Sequence, residues 1–348
     1  MSFSIGSGIS SIATTISGST ESPAVPPDPD PDPPAFTYRS DNKDTVNIQL
    51  EAVMTQPWAW DTSAFWKQKA LGTVDTTRTT DLADSQWNVP VKMHSGHYWS
   101  GTVHGIPYQV AQTTGGGITV WDETKLMGDP DITVNLHYPD GFVRTEDQPS
   151  GSGDHHSILI DLTRNRMIES FVMRPNVLGF WGASWVGQLT RWNTSVAWTS
   201  TSGGTNAAKI PYFPLLPRRE EFEVGVIAHM LPLVMDRYNS ALATGTPARG
   251  GDGLSSLHPV RSGEKMRLKS SSLTTLSATY SSKPHILTLL TCLREYGVIV
   301  MDKNTMNNDS TATGRCVISS PQEAWFADTA NIGEFTASLS DFEVVSWS

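Results

Sequence analysis

Cysteine is scarce in this sequence: among 348 residues it occurs only as Cys292 and Cys316. Two thiols exclude a zinc site built on paired cysteines and a disulfide-rich scaffold. Cys292 lies in a helical pattern and Cys316 in a strand-like one. We therefore expect two buried free thiols, although a disulfide between them is left open.

Charge is also low, since only 17% of the residues are charged and the formal net charge is −10. Nucleic-acid binding needs a dense basic surface, so we expect no nucleic-acid partner. No apolar run approaches the roughly 18 residues of a membrane-crossing helix, so we expect no membrane partner. The first twenty residues contain no Lys or Arg and no continuous apolar block, unlike a secretory signal. We therefore expect synthesis in a cytoplasm.

The residues that are abundant are typical of a compact β protein, with 28 glycines, 22 prolines and many serines and threonines. Short apolar or alternating runs between turn-rich segments predict strands. These runs are TVNIQLEAV, GIPYQVAQ, GITVWD, ITVNLHY, SILIDL, MIESFVM, VIAHMLPLV, KMRLKSS, VIVMD, GRCVISS and FEVVSW. The pattern indicates a mainly β fold, a β-sandwich or jelly roll with one or two packed helices.

One helix is well marked, in KPHILTLLTCLREYG. Pro284 fits the first turn, Gly297 follows the end, and one face is apolar through Ile286, Leu289, Leu290 and Leu293. A shorter helical pattern, RREEFEVG, ends at Gly225. The first helix leads into VIVMD, whose bounded apolar run predicts a strand covered on both faces.

The first 35 residues differ from the rest of the chain. Residues 1–22 form an arm that we expect to order by docking on a partner. Its anchoring residues are Phe3, Ile5, Ile9, Ile12 and Ile16. Residues 23–35 alternate Pro and Asp, which predicts a stiff, extended rod of polyproline II type. Residues 36–348 are then a single β-rich globular domain.

Seven blocks of this body follow one another in a recognisable order: DSQWNVPV, GIPYQV, SGDHHSILID, the stretch from AWTSTSGG to VIAHML, GEKMRLKSS, ILTLLTCLREYGVIVMDKN and FEVV. In these blocks the chain resembles a largely uncharacterised family of secreted β-rich proteins from actinobacteria and acidobacteria. The resemblance implies one continuous domain but no activity, because the family has none established. The arm, the rod and the Trp-rich region before Asp84 depart from the family. They suggest a secreted domain reused on a bacteriophage particle.

The stretch GSGDHHSILIDL contains the first functional candidates, Asp154 and His156, and His229 lies in another matching block. A corner where a strand begins would use Asp154 and His156 to bond backbone groups, and this is the interpretation we favour. A polar ligand site and a metal site are the alternatives. HSGHYWSGTVH adds three histidines, but no recognised metal-ligand spacing is present, so we expect no metal and no cofactor.

A carbohydrate lyase or hydrolase is the enzymatic alternative. Lyases on β-sandwiches combine His, Tyr and Arg, so that a base removes the proton α to a uronate carboxylate while other groups neutralise its charge. His156, His229, Arg267 and Tyr296 would supply such a set. A serine hydrolase has no support, because the chain lacks a G-x-S-x-G elbow.

Twelve tryptophans also need an explanation. Core packing is one, and stacking on sugars or on a protein partner is the other. The tryptophans that we expect to be exposed, and so to bind a ligand, are Trp58, Trp60, Trp181 and Trp185.

These features favour a non-catalytic protein of a virion surface, a fibre, spike or decoration component. Its arm would bind other virion proteins, and its β-domain would be displayed for adhesion to a host surface or glycan. We expect a homo-oligomer. A carbohydrate-active enzyme and a purely structural subunit are the alternatives.

Overall fold

The computed structural model describes residues 65–93, 106, 108–111, 118–122, 134–136, 156–161, 166–171, 174–175, 181–183, 185–190, 204–303, 316–321, 324–327 and 332–347. Contacts group Ala35–Ser348 into one compact unit. The arm and rod at residues 1–35, with Phe3, Ile5, Ile9, Ile12 and Ile16, lie outside the described residues, as does the strand predicted at residues 45–53. Among the described helices, none is long and apolar enough to cross a membrane.

Strands dominate the described part of the chain. In chain order they are β1 Pro90–Met93, β2 Tyr108–Ala111, β3 Ile118–Asp122, β4 Val134–Leu136, β5 Ser157–Asp161, β6 Arg166–Phe171, β7 Arg174–Pro175, β8 Trp181–Ala183, β9 Trp185–Thr190, β10 Leu231–Met235, β11 Asn239–Leu242, β12 Arg261–Ser262, β13 Lys265–Leu268, β14 Val298–Lys303, β15 Cys316–Ile318, β16 Thr336–Ser338 and β17 Phe342–Val345. The helices are α1 Thr76–Asp81, α2 Arg219–Val224, α3 Ser270–Thr279, α4 Pro284–Glu295 and α5 Ala324–Ala327.

The largest sheet has seven strands in the order β16-β1-β15-β10-β14-β13-β17 and curls into a half-barrel. Two of its pairs, β1 with β15 and β10 with β14, are parallel, and the others are antiparallel. Two four-stranded sheets follow the orders β2-β5-β6-β9 and β4-β3-β8-β7, and β11 pairs with β12. The prediction of a mainly β fold is confirmed.

Strand β14 is covered on both faces, as VIVMD predicted. Val298 and Val300 belong to the core cluster that contains Leu289, Leu290 and Leu293 of α4. Ile299 and Met301 belong to a second cluster. That second cluster also contains Ile158 of β5 and Met167 of β6. The two sides of the seven-stranded sheet therefore bury separate apolar layers.

Helix α4 begins and ends where the sequence predicts. Pro284 occupies its first turn, where the missing N–H costs nothing, and its apolar face is fully buried. Gly297 follows the helix with φ of 75°, and a Cβ there would lie 2.2 Å from the Met266 carbonyl oxygen. Only glycine fits this position. Helix α2 likewise ends at Gly225, as predicted.

Two details of the prediction are wrong. The described residues contain five α-helices rather than one or two, and α3 begins inside the run KMRLKSS that we predicted as a strand. Strand β13 ends at Leu268; the Lys269 N–H still donates to the Asp341 carbonyl at 2.9 Å, in the register of the β13–β17 pair, and α3 begins at the next residue. Leu273 and Leu276 of α3 then pack against the core, so tertiary contact outweighs the weak helix propensity of Ser and Thr.

Cys292 and Cys316 are both free and buried, so the expectation of two free thiols is confirmed. Burial raises the pKa of each thiol. Both therefore behave as small apolar core residues.

Candidate functional site

The candidate site lies around residues 204–218, which we call the buried segment. Apart from the short turn Phe213–Leu215 the segment has no regular structure, and Lys209 is its one residue that is not buried. Backbone N–H and C=O groups removed from water need partners, and irregular backbone cannot supply all of them to itself. Three buried side chains supply them: Glu169, Asn206 and Arg218.

The Glu169 carboxylate comes from β6 and binds the buried segment from one side. One oxygen, Oε1, accepts the N–H groups of Tyr212 at 2.7 Å and Phe213 at 3.3 Å. The other, Oε2, lies 3.4 Å from the N–H of Thr205. Burial raises the pKa of Glu169 to about 7, although the three N–H groups act in the opposite direction.

His156 lies beside this carboxylate, directly before β5. Its ring Nδ1 is 3.4 Å from the Thr205 hydroxyl, and its ring packs against Tyr212 and Phe171 with centroids 5.3 Å apart in each case. The side chain is buried, with 7% of its surface exposed. These are the contacts of a side chain that packs at a structural corner. Asp154 lies outside the described residues, so the corner hypothesis stays a prediction.

Within the segment, Asn206 closes a loop of backbone. Its amide donates to the Ile210 carbonyl and its side-chain oxygen accepts the Ile210 N–H at 3.2 Å. A Cβ on Gly204 would lie 1.9 Å from the Ile210 carbonyl oxygen, so the close approach requires glycine. The loop then joins the seven-stranded sheet, because the Ala208 N–H donates to the Met301 carbonyl at 2.8 Å.

Arg218, Glu221 and His229 form a second polar cluster at the end of the segment. The Arg218 guanidinium donates to the Phe213 carbonyl at 2.9 Å, and the Arg218 N–H donates to Glu221 at 2.8 Å. His229 Nδ1 donates to the Met230 carbonyl at 2.9 Å, while its Nε2 lies 3.2 Å from the Glu221 carboxylate. All three side chains are buried. The cluster therefore ties the segment and α2 to the strand that begins at Leu231.

The buried Glu221 carboxylate of the second cluster has basic side chains around it. Burial would raise the pKa of Glu221, but His229, Arg218 and Lys67 lower it to about 2. Burial lowers the pKa of Lys67 to about 8, against the attraction of Glu221. Glu221 is thus ionised at neutral pH, which a buried carboxylate tolerates only beside cations and donors.

The four side chains of the predicted lyase set have different partners. Arg267 pairs with Glu343 at 2.6 Å and donates to the Ala70 carbonyl. Tyr296 donates its N–H to the Cys292 carbonyl at 2.8 Å, and its ring packs partly buried against the core beside α4. His156 contacts Thr205 and Tyr212 of the buried segment. His229 contacts Glu221 and the Met230 carbonyl in the second polar cluster. These contacts do not join the four side chains into one constellation.

The tryptophan candidates are only partly covered by the structure. Trp58 and Trp60 lie outside the described residues. Trp181 begins β8 and Trp185 begins β9, in different four-stranded sheets, and only their backbone is described. Ligand binding by these four residues stays a prediction. Within the described ranges, no three His, Cys, Asp or Glu side chains are placed to hold a metal ion.

Sequence analysis missed Glu169, Arg218 and Glu221. One signal was available for Glu169: in MIESFVM it shares a strand face with Met167, which is buried, and with Phe171. A charged residue at an apolar position of an alternating strand indicates a buried polar role. Glu221 had a local signal, since an acid at the third position of a helix can accept the N–H of the residue before the helix, here Arg218. The contacts with Phe213 and His229 have no local signal, because these partners lie outside α2.

Comparison with protein-family models, with curated proteins and with solved structures found no match. The resemblance to the family of secreted bacterial proteins therefore stays a prediction. Function has to be argued from the residues of this chain alone.

Proposed function

We propose that the protein is a non-catalytic component of a virion surface, a fibre, spike or decoration protein. Its arm at residues 1–22 binds other virion proteins, the rod at residues 23–35 sets a distance, and the β-rich body is displayed. The body adheres to a host surface or to a glycan, and copies of the chain form a homo-oligomer.

The contacts made by the candidate catalytic side chains support a non-catalytic body. His156 and His229 contact the buried segment, Arg267 pairs with Glu343, and none of these side chains is exposed. General acid–base catalysis needs a side chain within hydrogen-bond reach of a bound substrate. Groups that bind backbone and carboxylates inside the body serve folding instead.

The architecture that we favour for the displayed body is a β-sandwich of two packed sheets, with α4 on the other face of the seven-stranded sheet. Ile158 and Met167 of one four-stranded sheet share a core with Ile299 and Met301 of the seven-stranded sheet, which supports two packed layers. The parallel pairs β1–β15 and β10–β14 depart from the antiparallel pairing of sandwiches and jelly rolls alike. The packing of the two sheets, not the direction of the strands, supports the sandwich.

The experiment that tests this function measures binding and turnover on the same samples. The full-length protein is incubated with neutral and uronate-containing polysaccharides from the host surface. We expect retention of a glycan without new chain ends or unsaturated uronates. Release of such products, and its loss in a folded His229→Gln variant, would establish the lyase instead.

A further inference from the structure

A loop beside β11 and β12 is firmly held although it contains no helix or strand. It comprises residues 249–258, and we call it the leucine loop. The Tyr238 hydroxyl donates to the Asp252 carboxylate at 2.5 Å and accepts the Asp252 N–H at 3.0 Å. The Ser255 N–H donates to the Tyr238 carbonyl at 3.2 Å. A Cβ on Gly253 would lie 2.3 Å from the same carbonyl oxygen, so the loop packs directly on the backbone that enters β11.

Both short strands also bind the leucine loop. From β11, the Asn239 amide donates to the Ser256 carbonyl at 2.9 Å. From β12, the Ser262 hydroxyl donates to the Gly250 carbonyl. The loop is thus attached near both of its ends, and its outer surface is preorganised for contact with another molecule.

This loop holds leucine side chains in the solvent. Leu254 is 67% exposed and Leu257 is 83% exposed, and Leu242 at the end of β11 is 43% exposed. In the described part of the chain six large apolar residues are exposed, and these are three of them. Single exposed apolar residues are ordinary, but a group of them in one region marks an interaction site.

Arginines border the leucine loop. Arg249 begins it, Arg237 directly precedes the anchoring tyrosine, and Arg261 lies in β12. Arg249 is exposed, and the Arg237 side chain is 64% exposed although its guanidinium lies 3.8 Å from the buried Asp236 carboxylate. The loop itself contains one acid, Asp252, which accepts the tyrosine hydroxyl. This surface therefore has an excess of basic groups, on a chain whose net charge is −10.

We propose that the leucine loop and its bordering arginines bind an acidic peptide segment of a partner protein, whose apolar side chains cover the leucines. Charge favours such a partner over a second copy, because two copies that met through this surface would bring like charges together. The leucines favour a peptide over an anionic polysaccharide, because apolar side chains of a peptide bury them. This site goes beyond the proposed function, since it requires neither the arm nor a bound glycan.

The test selects binders of the full-length protein from a random library of displayed linear peptides. We expect the selected peptides to combine net negative charge with apolar side chains. Leu257→Ser and Arg249→Glu should each weaken the binding of a synthetic, labelled copy by roughly tenfold or more, measured by fluorescence anisotropy. Added salt should also weaken it, because salt screens the attraction between exposed charges.

Two variants control for composition alone. Leu71→Ser replaces another exposed leucine, 75% exposed before α1, and should leave the affinity unchanged. Arg219→Glu makes the same change of charge in α2 and should have little effect. The melting temperature of each variant checks that the body is folded.

Three results would overturn the proposal. The first is that no acidic peptide is selected, or that Leu257→Ser and the wild-type protein bind the selected peptides equally well. The second is binding of polygalacturonate that Arg249→Glu abolishes and Leu257→Ser leaves intact, which would assign the surface to an anionic glycan. The third is dissociation of an oligomer by Leu257→Ser in sedimentation experiments, which would make the surface an interface between copies.

Discussion

Buried polar residues in this body are explained by the backbone that they bind. Glu169 supplies an acceptor and Arg218 supplies donors to a segment that has little regular structure of its own. A hydrogen bond of this kind contributes about 1 kcal/mol, but an unpaired buried group costs more. Replacement of one partner should therefore lower the free energy of unfolding by more than the contribution of the lost hydrogen bond.

His229 provides a direct test at this scale. His229→Ala removes the partner of Glu221 and of the Met230 carbonyl in a buried site. We expect a loss of about 1–3 kcal/mol in the free energy of unfolding, measured by urea denaturation. Unchanged stability would show that the cluster does not hold the segment.

The buried His258 should make the protein less stable in acid. Its ring is buried against Trp87, it accepts the Val260 N–H at 3.1 Å, and burial lowers its pKa to about 4. A lowered folded-state pKa gives stability that is complete above about 6.5 and is lost as the pH falls through about 4.

We expect the titration of His258 to lower the free energy of unfolding by roughly 3 kcal/mol as the pH falls from 6.5 to 4. A His258→Asn variant, unfolded in urea at pH 7 and at pH 4, should show a smaller acid loss than the wild-type protein. An equal acid loss in both proteins would remove His258 as a cause.

At the scale of elements, α4 determines whether the body is one unit. Leu290 is fully buried in the cluster that contains Val298 and Val300 of β14. Leu290→Ala should cost about 2–5 kcal/mol through lost burial and a cavity, and should destabilise the whole body in one transition. Thr291→Ala on the exposed face is the matched control and should cost little.

Hydrogen exchange of the Leu290→Ala variant shows which elements open together. If β5 and β6 keep native protection while α4 and β14 open, the body consists of two domains.

The accuracy of the sequence predictions depends on how local each signal is. Helix α4 and strand β14 were predicted because Pro284, Gly297 and the apolar spacing lie within each element. Helix α3 was missed because its helical state depends on Leu273 and Leu276 meeting a distant core. The buried segment was missed for the same reason, since its order comes from Glu169 and Arg218.

At the scale of the whole molecule, the proposed function separates attachment from display. The proposed anchoring residues lie in the arm, whereas the described body forms its own cores. Deletion of residues 1–20 should leave the melting temperature of the body unchanged and abolish incorporation into particles. Particle composition measured by mass spectrometry checks this, and normal incorporation of the truncated protein would contradict it.

We expect the polar side chains around the buried segment to be structural. Amide hydrogen exchange at pH 6 measures this at Thr205, Tyr212 and Phe213 of the protein. We predict that these amides exchange only through global unfolding, with the same free energy as urea denaturation. Rapid local exchange at Tyr212 and Phe213, while β10 and β14 stay protected, would contradict the claim.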